Sequence, residues 1–361
     1  MPPVSGHLLF LSEWDAHNPL RWSGIPAAML RAFGRTWERV SYQQVPFDLG
    51  AELPLALARS GAAATRAARR HRPDLIVCQG TSMIPHFQGD TPVVSWHDAS
   101  WYTLVGLPLP RFRRERPELL AWDQQTLQRV LYMFLASDWA CDYTARAYPE
   151  FQHKLHTLPF GPNLPVWPAL ADLEAVWQQR LQRQTCRLLF IGKEWERKGL
   201  PRVLELVRSL HAQQIPVQLD IVGCEPEVAD LPSGTVVHGF LAKHTPEGWA
   251  AFAALLAEAD FLVHPARREC YGCVLVEANA FGVPVLATAI EGMPTVVREG
   301  ENGYLARSKD YVPLMASHIQ RLKASPEAYL NLARQSVLRA RSLAWEQGAR
   351  RMAQVVFSAA D

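Results

Sequence analysis

The sequence predicts an α/β protein with two domains, each built around a parallel β-sheet. Short aliphatic and β-branched runs alternate with longer amphipathic stretches, which is the pattern of parallel strands connected by helices. A proline-rich segment interrupts this alternation once, near the middle of the 361 residues. At roughly 150 residues per domain, a chain of this length is expected to form two domains, each with its own core.

The first half contains enough strand and helix candidates for one covered sheet. It opens with the apolar run HLLFLS, and a glycine turn at Gly24 precedes the first helix. Predicted strands are 7–12, 39–45, 74–78, 92–96, 133–137 and 154–159, and predicted helices are 25–33, 55–71, 117–132 and 139–148. The segment 161–168, GPNLPVWP, follows. Its three prolines exclude regular helix and central strand, so we place the domain boundary there.

The second half repeats the alternation and therefore predicts a second sheet. Predicted strands are 186–191, 217–222, 235–238, 261–264 and 283–287. Predicted helices are 199–213, 248–258, 273–281, 311–324, 326–341 and 344–358. Two such domains imply a cleft between them, and ligands of open α/β sheets bind beyond the carboxyl ends of the strands.

The composition of the chain and the absence of two nucleotide-binding motifs argue against several classes of protein. The 37 basic and 35 acidic side chains leave a net charge of only +2, so a nucleic-acid partner is not expected. We expect a cytoplasmic protein, because no apolar run nears the roughly 18 residues of a membrane span, no secretory signal pattern opens the chain, and six cysteines are scattered. Neither the dinucleotide-binding nor the P-loop glycine motif is present, which argues against a nicotinamide dehydrogenase or a P-loop ATPase.

The segment 266–288, ARRECYGCVLVEANAFGVPVLAT, carries the richest chemistry. A strand is followed by a loop with Glu269 and by a helix that begins near Gly272, and Glu277 lies eight residues after Glu269. The helix start can bind an anion, and the carboxylates can accept hydrogen bonds from sugar hydroxyls. Glu pairs at this spacing are common by chance, but Glu277 lies in an apolar helix and requires a partner there. We assign Cys270 and Cys273 to close packing rather than to a metal.

A second charged loop, GKEWERKG at 192–199, directly follows the strand CRLLFI. Lys193 and Lys198 flank this loop and could neutralise a diphosphate from the side opposite the helix start. An exposed, solvated loop explains the same residues equally well when the loop is considered alone.

Together these two motifs resemble the retaining glycosyltransferases of family 4, which have the GT-B fold. Glu269 and Glu277 match the family's Glu-x7-Glu motif, and 192–199 matches its Gly-[Arg/Lys]-x4-Lys-Gly motif. The segment 291–305 resembles the turn and strand after the donor site, and Trp96-His97-Asp98 resembles a first-half landmark. Two residues depart from the pattern. Lys193 replaces a frequent arginine, and Glu291 stands where a glycine is usual.

The resemblance implies the architecture and the position of each ligand. It implies two Rossmann-like domains facing an interdomain cleft, an acceptor-side domain over 1–165 and a donor domain over 166–341, with the helix 344–358 packing back on the first. Lys193 and Lys198 would hold the donor diphosphate, and Glu269 would contact the sugar. Glu277 would bind the ribose, and His97 would lie near the transferred sugar. Implied donor-lining residues are Gly24, Gly192, Lys193, Lys198, Gly239, Phe240, Leu241, Glu269, Cys270, Tyr271, Gly272, Cys273, Val274 and Glu277.

The implied activity is retaining transfer of a hexose-type sugar from a UDP- or GDP-sugar to a hydroxyl of a glycan, a glycolipid or a small molecule. It implies neither a prosthetic group nor a metal, and surface polysaccharide or glycolipid assembly is the associated setting. The basic and apolar loop 104–118 could add weak peripheral membrane contact, although a solvated surface is the slightly favoured interpretation. Two alternatives remain: a sugar-nucleotide epimerase of the same architecture and a non-catalytic sugar-nucleotide binding protein.

Overall fold

A computed structural model describes residues 2–48, 50–104 and 116–358. The chain forms two compact units. One unit runs to Asn163 and also takes in the chain from Ala344 onward, and the other is Leu164–Leu343. The segment 105–115, with Arg111, Arg113 and Arg114 of the loop considered for membrane contact, lies outside the described residues.

The first unit is built on a six-stranded parallel sheet with the order β2-β1-β3-β4-β5-β6. Its strands are β1 Val4–Ser12, β2 Trp37–Gln44, β3 Leu75–Gln79, β4 Val93–His97, β5 Tyr132–Leu135 and β6 Leu155–Thr157. Its helices are α1 Ile25–Thr36, α2 Leu53–His71, α3 Trp101–Leu104, α4 Arg116–Arg129, α5 Asp138–Ala147 and, from the end of the chain, α13 Trp345–Ser358.

The second unit has its own six-stranded parallel sheet with the order β12-β11-β10-β7-β8-β9. Its strands are β7 Cys186–Ile191, β8 Val217–Val222, β9 Thr235–Gly239, β10 Phe261–His264, β11 Val285–Thr288 and β12 Gly303–Ala306. Its helices are α6 Leu170–Gln182, α7 Leu200–Ala212, α8 Pro246–Glu258, α9 Cys273–Ala280, α10 Met293–Val296, α11 Tyr311–Lys323 and α12 Pro326–Ser342. The predicted α/β class with two parallel sheets is confirmed.

Some predicted elements have different bounds, and the helices α3, α6 and α10 were not predicted. The strand predicted at 133–137 ends at Leu135, because Ser137 is the N-cap of α5 and its hydroxyl accepts a hydrogen bond from the Ala140 N–H. The helix predicted to reach residue 132 ends at Arg129, and the Leu131 N–H already bonds to the Val93 carbonyl in the sheet. Helix α6 was missed entirely.

Helix α6 is held in place by a fully buried arginine. The Arg180 guanidinium donates five hydrogen bonds, to the Tyr329 hydroxyl and to four backbone carbonyls. Two of those carbonyls, on Phe281 and Gly282, lie just beyond the end of α9. A cation at this end complements the helix dipole, so Arg180 anchors the helix whose start lies at the candidate site.

In the first unit, a buried asparagine holds a turn with unfavourable backbone angles. Trp22, Ser23 and Gly24 are all left-handed, with φ of 43°, 56° and 79°, and such angles cost about 1–3 kcal/mol for each non-glycine residue. Asn163 Nδ2 donates to the Ser23 carbonyl at 2.7 Å, and Asn163 Oδ1 accepts from the Trp345 indole at 3.1 Å. This amide thereby ties the turn before α1 to α13.

Among the described residues, no helix combines the length and the apolar character needed to cross a bilayer.

Replacing Asn163 should release this turn. We expect Asn163→Ala to lower the free energy of unfolding by about 1–3 kcal/mol, because two buried hydrogen bonds are lost and partner groups are left unpaired. Urea denaturation measures the loss. Asn18→Ala, which removes a local hydrogen bond to Leu20 in the same loop, is the matched control and should cost less than about 1 kcal/mol. Equal stability of Asn163→Ala and the wild type would contradict the assignment.

Candidate functional site

Two loops at the carboxyl ends of neighbouring strands form the candidate site in the second unit. Strands β7 and β10 pair in the sheet, so the loops that follow them, 192–199 and 265–272, leave the same edge. The Arg267 N–H donates to the Arg197 carbonyl, and the Arg197 guanidinium donates to the Arg268 carbonyl, each at 2.8 Å. These bonds join the two loops, although the loops are about 70 residues apart in sequence.

Gly199 allows the loops to approach this closely. Its backbone is left-handed, with φ of 86°, and a Cβ atom there would lie 1.9 Å from the Pro265 carbonyl oxygen. No side chain fits at that distance, so glycine is required where the lysine-bearing loop passes the loop after β10.

The joined loops bring Lys198 and Glu269 into a partly shielded ion pair. The Lys198 ammonium donates to Glu269 Oε2, and the side chains are only 16% and 11% exposed. His264, at the end of β10, lies 3.1 Å from the same oxygen through Nε2. Because a carboxylate only accepts hydrogen bonds, we infer that the Nε2 atom carries the proton. Both charged residues were predicted for the site, whereas His264 was not.

Glu269 is strongly acidic in this arrangement. Burial raises its pKa, but the Lys198 ammonium and the His264 hydrogen bond outweigh burial and lower the pKa to about 2. Burial also lowers the pKa of His264, which is therefore neutral at pH 7. The site thus holds a carboxylate and an ammonium side by side, each available to a ligand of opposite charge or to hydroxyl groups.

Glu291, which stands where a glycine is usual in the family, stabilises the loop that leads into the helix after β10. It adopts the left-handed angle that glycine would adopt, with φ of 43°. Its carboxylate accepts the Glu269 N–H at 2.6 Å and also bonds to the Arg268 side chain. The loop is therefore held by a side chain of its own, which offsets the unfavourable backbone angle.

Helix α9 begins beside this ion pair. Its N-cap is Gly272, also left-handed, which has no side chain to cap the helix. The first N–H groups of an α-helix point out of its start, so the backbone N–H groups at the start of α9 face the region before the helix. A Cβ atom added to Gly272 would lie 3.4 Å from Glu269 Cγ, so the Glu269 side chain lies next to the N-cap. The Tyr271 side chain is buried, so only its backbone could meet a ligand.

The other predicted lysine has a different neighbour. Lys193 is exposed, and its ammonium lies 4.8 Å from the centre of the Phe240 ring, a cation–π distance. Phe240 follows Gly239, which ends β9, and is itself 55% exposed. Gly192 at the start of the lysine loop packs against Lys198, and Leu241 follows Phe240. Lys193 and Lys198 thus contact different groups: Lys193 lies by the loop after β9, and Lys198 by α9.

Glu277 has the partner that its apolar helix required. Its carboxylate is only 1% exposed, and both oxygens accept from the Lys243 ammonium, at 2.7 and 2.9 Å. The sequence indicated that a cation was needed but not which lysine would supply it. Lys243 was therefore missed.

The first unit contains the two remaining predicted residues. Gly24 is the N-cap of α1, and His97 ends β4. His97 Nδ1 lies 2.9 Å from the Ala99 carbonyl, so this nitrogen carries the proton, and Nε2 is buried with no partner among the described residues. Burial lowers the pKa of His97 to about 4, so at pH 7 the ring is neutral and Nε2 offers a lone pair.

The six cysteines are free thiols, including Cys270 and Cys273. Over the described ranges, no group of three or more His, Cys, Asp and Glu side chains could hold a metal ion.

Residues 185–325 match the sequence model of the family described as "Glycosyl transferases group 1". This part of the chain is therefore similar to the glycosyltransferases of that group. The matched range contains both loops and all of α9, and it therefore includes Lys198, Glu269 and Glu277. A D-inositol 3-phosphate glycosyltransferase of Thermomonospora curvata is 38% identical over 202 residues, covering 50% of this chain and 44% of that protein. The chain spans about half the length of the curated relatives it matches.

Solved structures resemble the whole chain, not only the range 185–325. Sucrose-phosphate synthase from Thermosynechococcus elongatus matches with a TM-score of 0.71 at 19% identity, covering 98% of this chain and 99% of the other. Anabaena HepE in complex with UDP-glucose matches with a TM-score of 0.64 at 16% identity, covering 98% and 100%. The predicted GT-B fold, with its two parallel six-stranded sheets, is confirmed.

The acidity of Glu269 makes a prediction for the pH dependence of stability. Its folded pKa lies below the ordinary value of 4.5, so its charge stabilises the fold above that value, and this contribution is lost as the pH falls toward about 2. We expect the stability advantage of the wild type over Glu269→Gln to be constant at pH 6–8 and to shrink between about pH 4.5 and 2. Urea denaturation across this range tests it.

Glu301→Gln is the matched control, because that side chain is exposed and its ion pair with Arg298 is long, at 3.6 Å. Its stability should differ little from that of the wild type at any pH. A Glu269→Gln difference that stays constant down to pH 2 would show that Glu269 is not held as a carboxylate by its neighbours.

Proposed function

We propose that the protein is a retaining glycosyltransferase that moves a hexose-type sugar from a UDP- or GDP-sugar to a hydroxyl of a glycan, a glycolipid or a small molecule. The observation that carries this proposal is the position of Lys198 and Glu269 beside the start of α9, inside a domain that matches the glycosyltransferase family. A cation and a helix start together suit a diphosphate, and a neighbouring carboxylate suits sugar hydroxyls.

The ion pair shows how two opposite charges are accommodated side by side in this site. The Lys198 ammonium and the Glu269 carboxylate neutralise each other. A bound donor would give the ammonium a diphosphate oxygen as its partner, and Glu269 would accept hydroxyl hydrogen bonds from the sugar. Each charged group then keeps a partner in both states, so binding avoids leaving an unpaired buried charge.

The same groups favour the transition state of glycosyl transfer. The bond between the anomeric carbon and the diphosphate oxygen breaks, and negative charge grows on the diphosphate. Lys198 and the N–H groups at the start of α9 are fixed where this charge develops, so they stabilise the transition state more than the bound donor. The acceptor oxygen bonds to the anomeric carbon on the same face, and its proton passes to the leaving diphosphate. No protein nucleophile is proposed.

Further residues are proposed for the donor and for the transferred sugar. Glu277 would accept hydrogen bonds from the ribose. Phe240 would lie near the nucleobase, and Lys193 would lie near the diphosphate of the nucleotide. His97 would accept a hydrogen bond from a hydroxyl of the transferred sugar, which its unprotonated, unpartnered Nε2 supports. Gly24 is proposed as a further residue that lines the donor phosphates.

The comparisons support the class of donor. Anabaena HepE, which shares the fold, is described in complexes with UDP and with UDP-glucose. The Thermomonospora curvata relative is named a D-inositol 3-phosphate glycosyltransferase. Metal-independent catalysis, a cytoplasmic location with weak peripheral membrane contact, and a role in surface polysaccharide assembly are parts of the same proposal.

Nucleotide binding tests the donor site. UDP or GDP should raise the melting temperature of the wild type, since a ligand of the folded state stabilises it by mass action. Lys198→Met should weaken nucleotide binding about tenfold or more, because charge-assisted hydrogen bonds to the diphosphate are lost. Lys323→Met is the control, since that lysine donates to the Arg183 carbonyl, before the start of β7 and thus at the opposite edge of the sheet from both loops, and it should bind as the wild type does. Calorimetry gives the affinities.

Product formation then separates the candidate activities. Release of UDP or GDP from the hexose conjugate that depends on an added acceptor supports the transferase. Turnover without an acceptor indicates an epimerase, and tight donor binding without turnover indicates a binding protein. Unchanged nucleotide affinity in Lys198→Met, or in Lys198→Met/Glu269→Gln if the single variant does not fold, would overturn the donor site.

A further inference from the structure

Lys243 lies outside the two family motifs, yet it is the partner of Glu277, the second carboxylate of the site. Its ammonium reaches both oxygens of Glu277, and it also lies 4.9 Å from the centre of the Phe252 ring. Glu277 is almost fully buried, whereas 31% of the Lys243 side chain is exposed. The cation therefore approaches the carboxylate from the more open side.

The backbone on either side of Lys243 is fixed, so the contact is built into the fold. The Lys243 N–H donates to the Leu241 carbonyl at 3.1 Å. The N–H of Thr245 donates to the Ala242 carbonyl at 2.9 Å, and the Thr245 hydroxyl accepts the Gly248 N–H as the N-cap of α8. A short turn between β9 and α8 thus presents Lys243 to α9.

Charge compensation explains why this lysine is needed. A carboxylate in an apolar helix is costly unless a cation or several hydrogen bonds accompany it. The Lys243 ammonium compensates the charge of the Glu277 carboxylate, and the contact with both oxygens fixes the plane of that carboxylate. Each carboxylate oxygen has more than one acceptor direction, so both oxygens can still accept hydroxyl hydrogen bonds.

We propose that Lys243 is a positioning residue that orientates the Glu277 carboxylate for the two vicinal hydroxyls of a ribose, which makes the donor site selective for ribonucleotides. This inference rests on the proposed function, in which Glu277 binds the ribose. It assigns to the turn between β9 and α8 a share in recognising the sugar of the nucleotide. Lys243 acts through Glu277 and touches neither the diphosphate nor the transferred sugar.

Paired nucleotides isolate this role. Calorimetry compares UDP and GDP with their 2′,3′-dideoxy analogues, which lack both hydroxyls. The wild type should bind the ribose forms more tightly. Lys243→Met should lose about tenfold or more in affinity for the ribose forms, the size expected for hydrogen bonds to a charged group, and keep its affinity for the dideoxy forms within about twofold. Lys243→Arg should restore the preference for ribose.

The double variant shows whether Lys243 acts through Glu277. In a Glu277→Gln background, adding Lys243→Met should change UDP affinity by less than about twofold, because the carboxylate that the lysine orientates is already absent. Should Lys243→Met fail to fold, Lys243→Gln, which keeps a donor without the charge, is measured in the same way with the same expected loss.

The measurements distinguish a failure of the role of Lys243 from a failure of the proposed function. Unchanged ribose preference in the lysine variants, or equal weakening of the ribose and dideoxy forms, would overturn the role of Lys243 and leave the donor proposal intact. A wild type that binds both forms equally would remove the ribose role from Glu277 and from Lys243. A wild type that binds no nucleotide would overturn the proposed function and this inference with it.

Discussion

The close passage of two loops at Gly199 is the constraint on which the rest of the site depends. At that point the loop after β7 lies within contact distance of the loop after β10, and no side chain could be accommodated between them. Because the loops approach each other, the Lys198 ammonium forms an ion pair with the Glu269 carboxylate, and this pair lies next to the start of α9. A parallel sheet makes this arrangement possible, because the carboxyl ends of β7 and β10 meet at one edge.

Both ends of α9 are then held by charges from distant parts of the chain. Arg180 of α6 bonds the carbonyls just beyond its end, while Glu291 secures the loop that leads into its start. Lys243 fixes the carboxylate in its middle. The helix is short and apolar, and such a helix gains its stability from tertiary contacts rather than from its own propensity. Its position, and hence that of the N–H groups at its start, is set by these three contacts.

Local sequence patterns predict much of the fold, but they predict only part of the candidate site. Strands β7, β8 and β10 have their predicted bounds, because short runs rich in aliphatic residues between turns mark buried strands. Helix α6 buries Leu173, Trp177 and Arg180. It escaped prediction because one of these three buried positions is a charged residue, whose partners are carbonyls far along the chain. Motif spacing placed Glu269 in a loop and Glu277 in a helix. The choice of Lys198 and Lys243 as their partners, and the left-handed angle of Glu291, depend on tertiary contacts that no local pattern encodes.

The most direct test of the account is a crystal structure with UDP or GDP bound. The account predicts that diphosphate oxygens lie within hydrogen-bond distance of Lys198 Nζ and of an N–H group at the start of α9, with the Lys198 ammonium moved away from Glu269. A diphosphate bound elsewhere, with the Lys198–Glu269 pair unbroken, would contradict it.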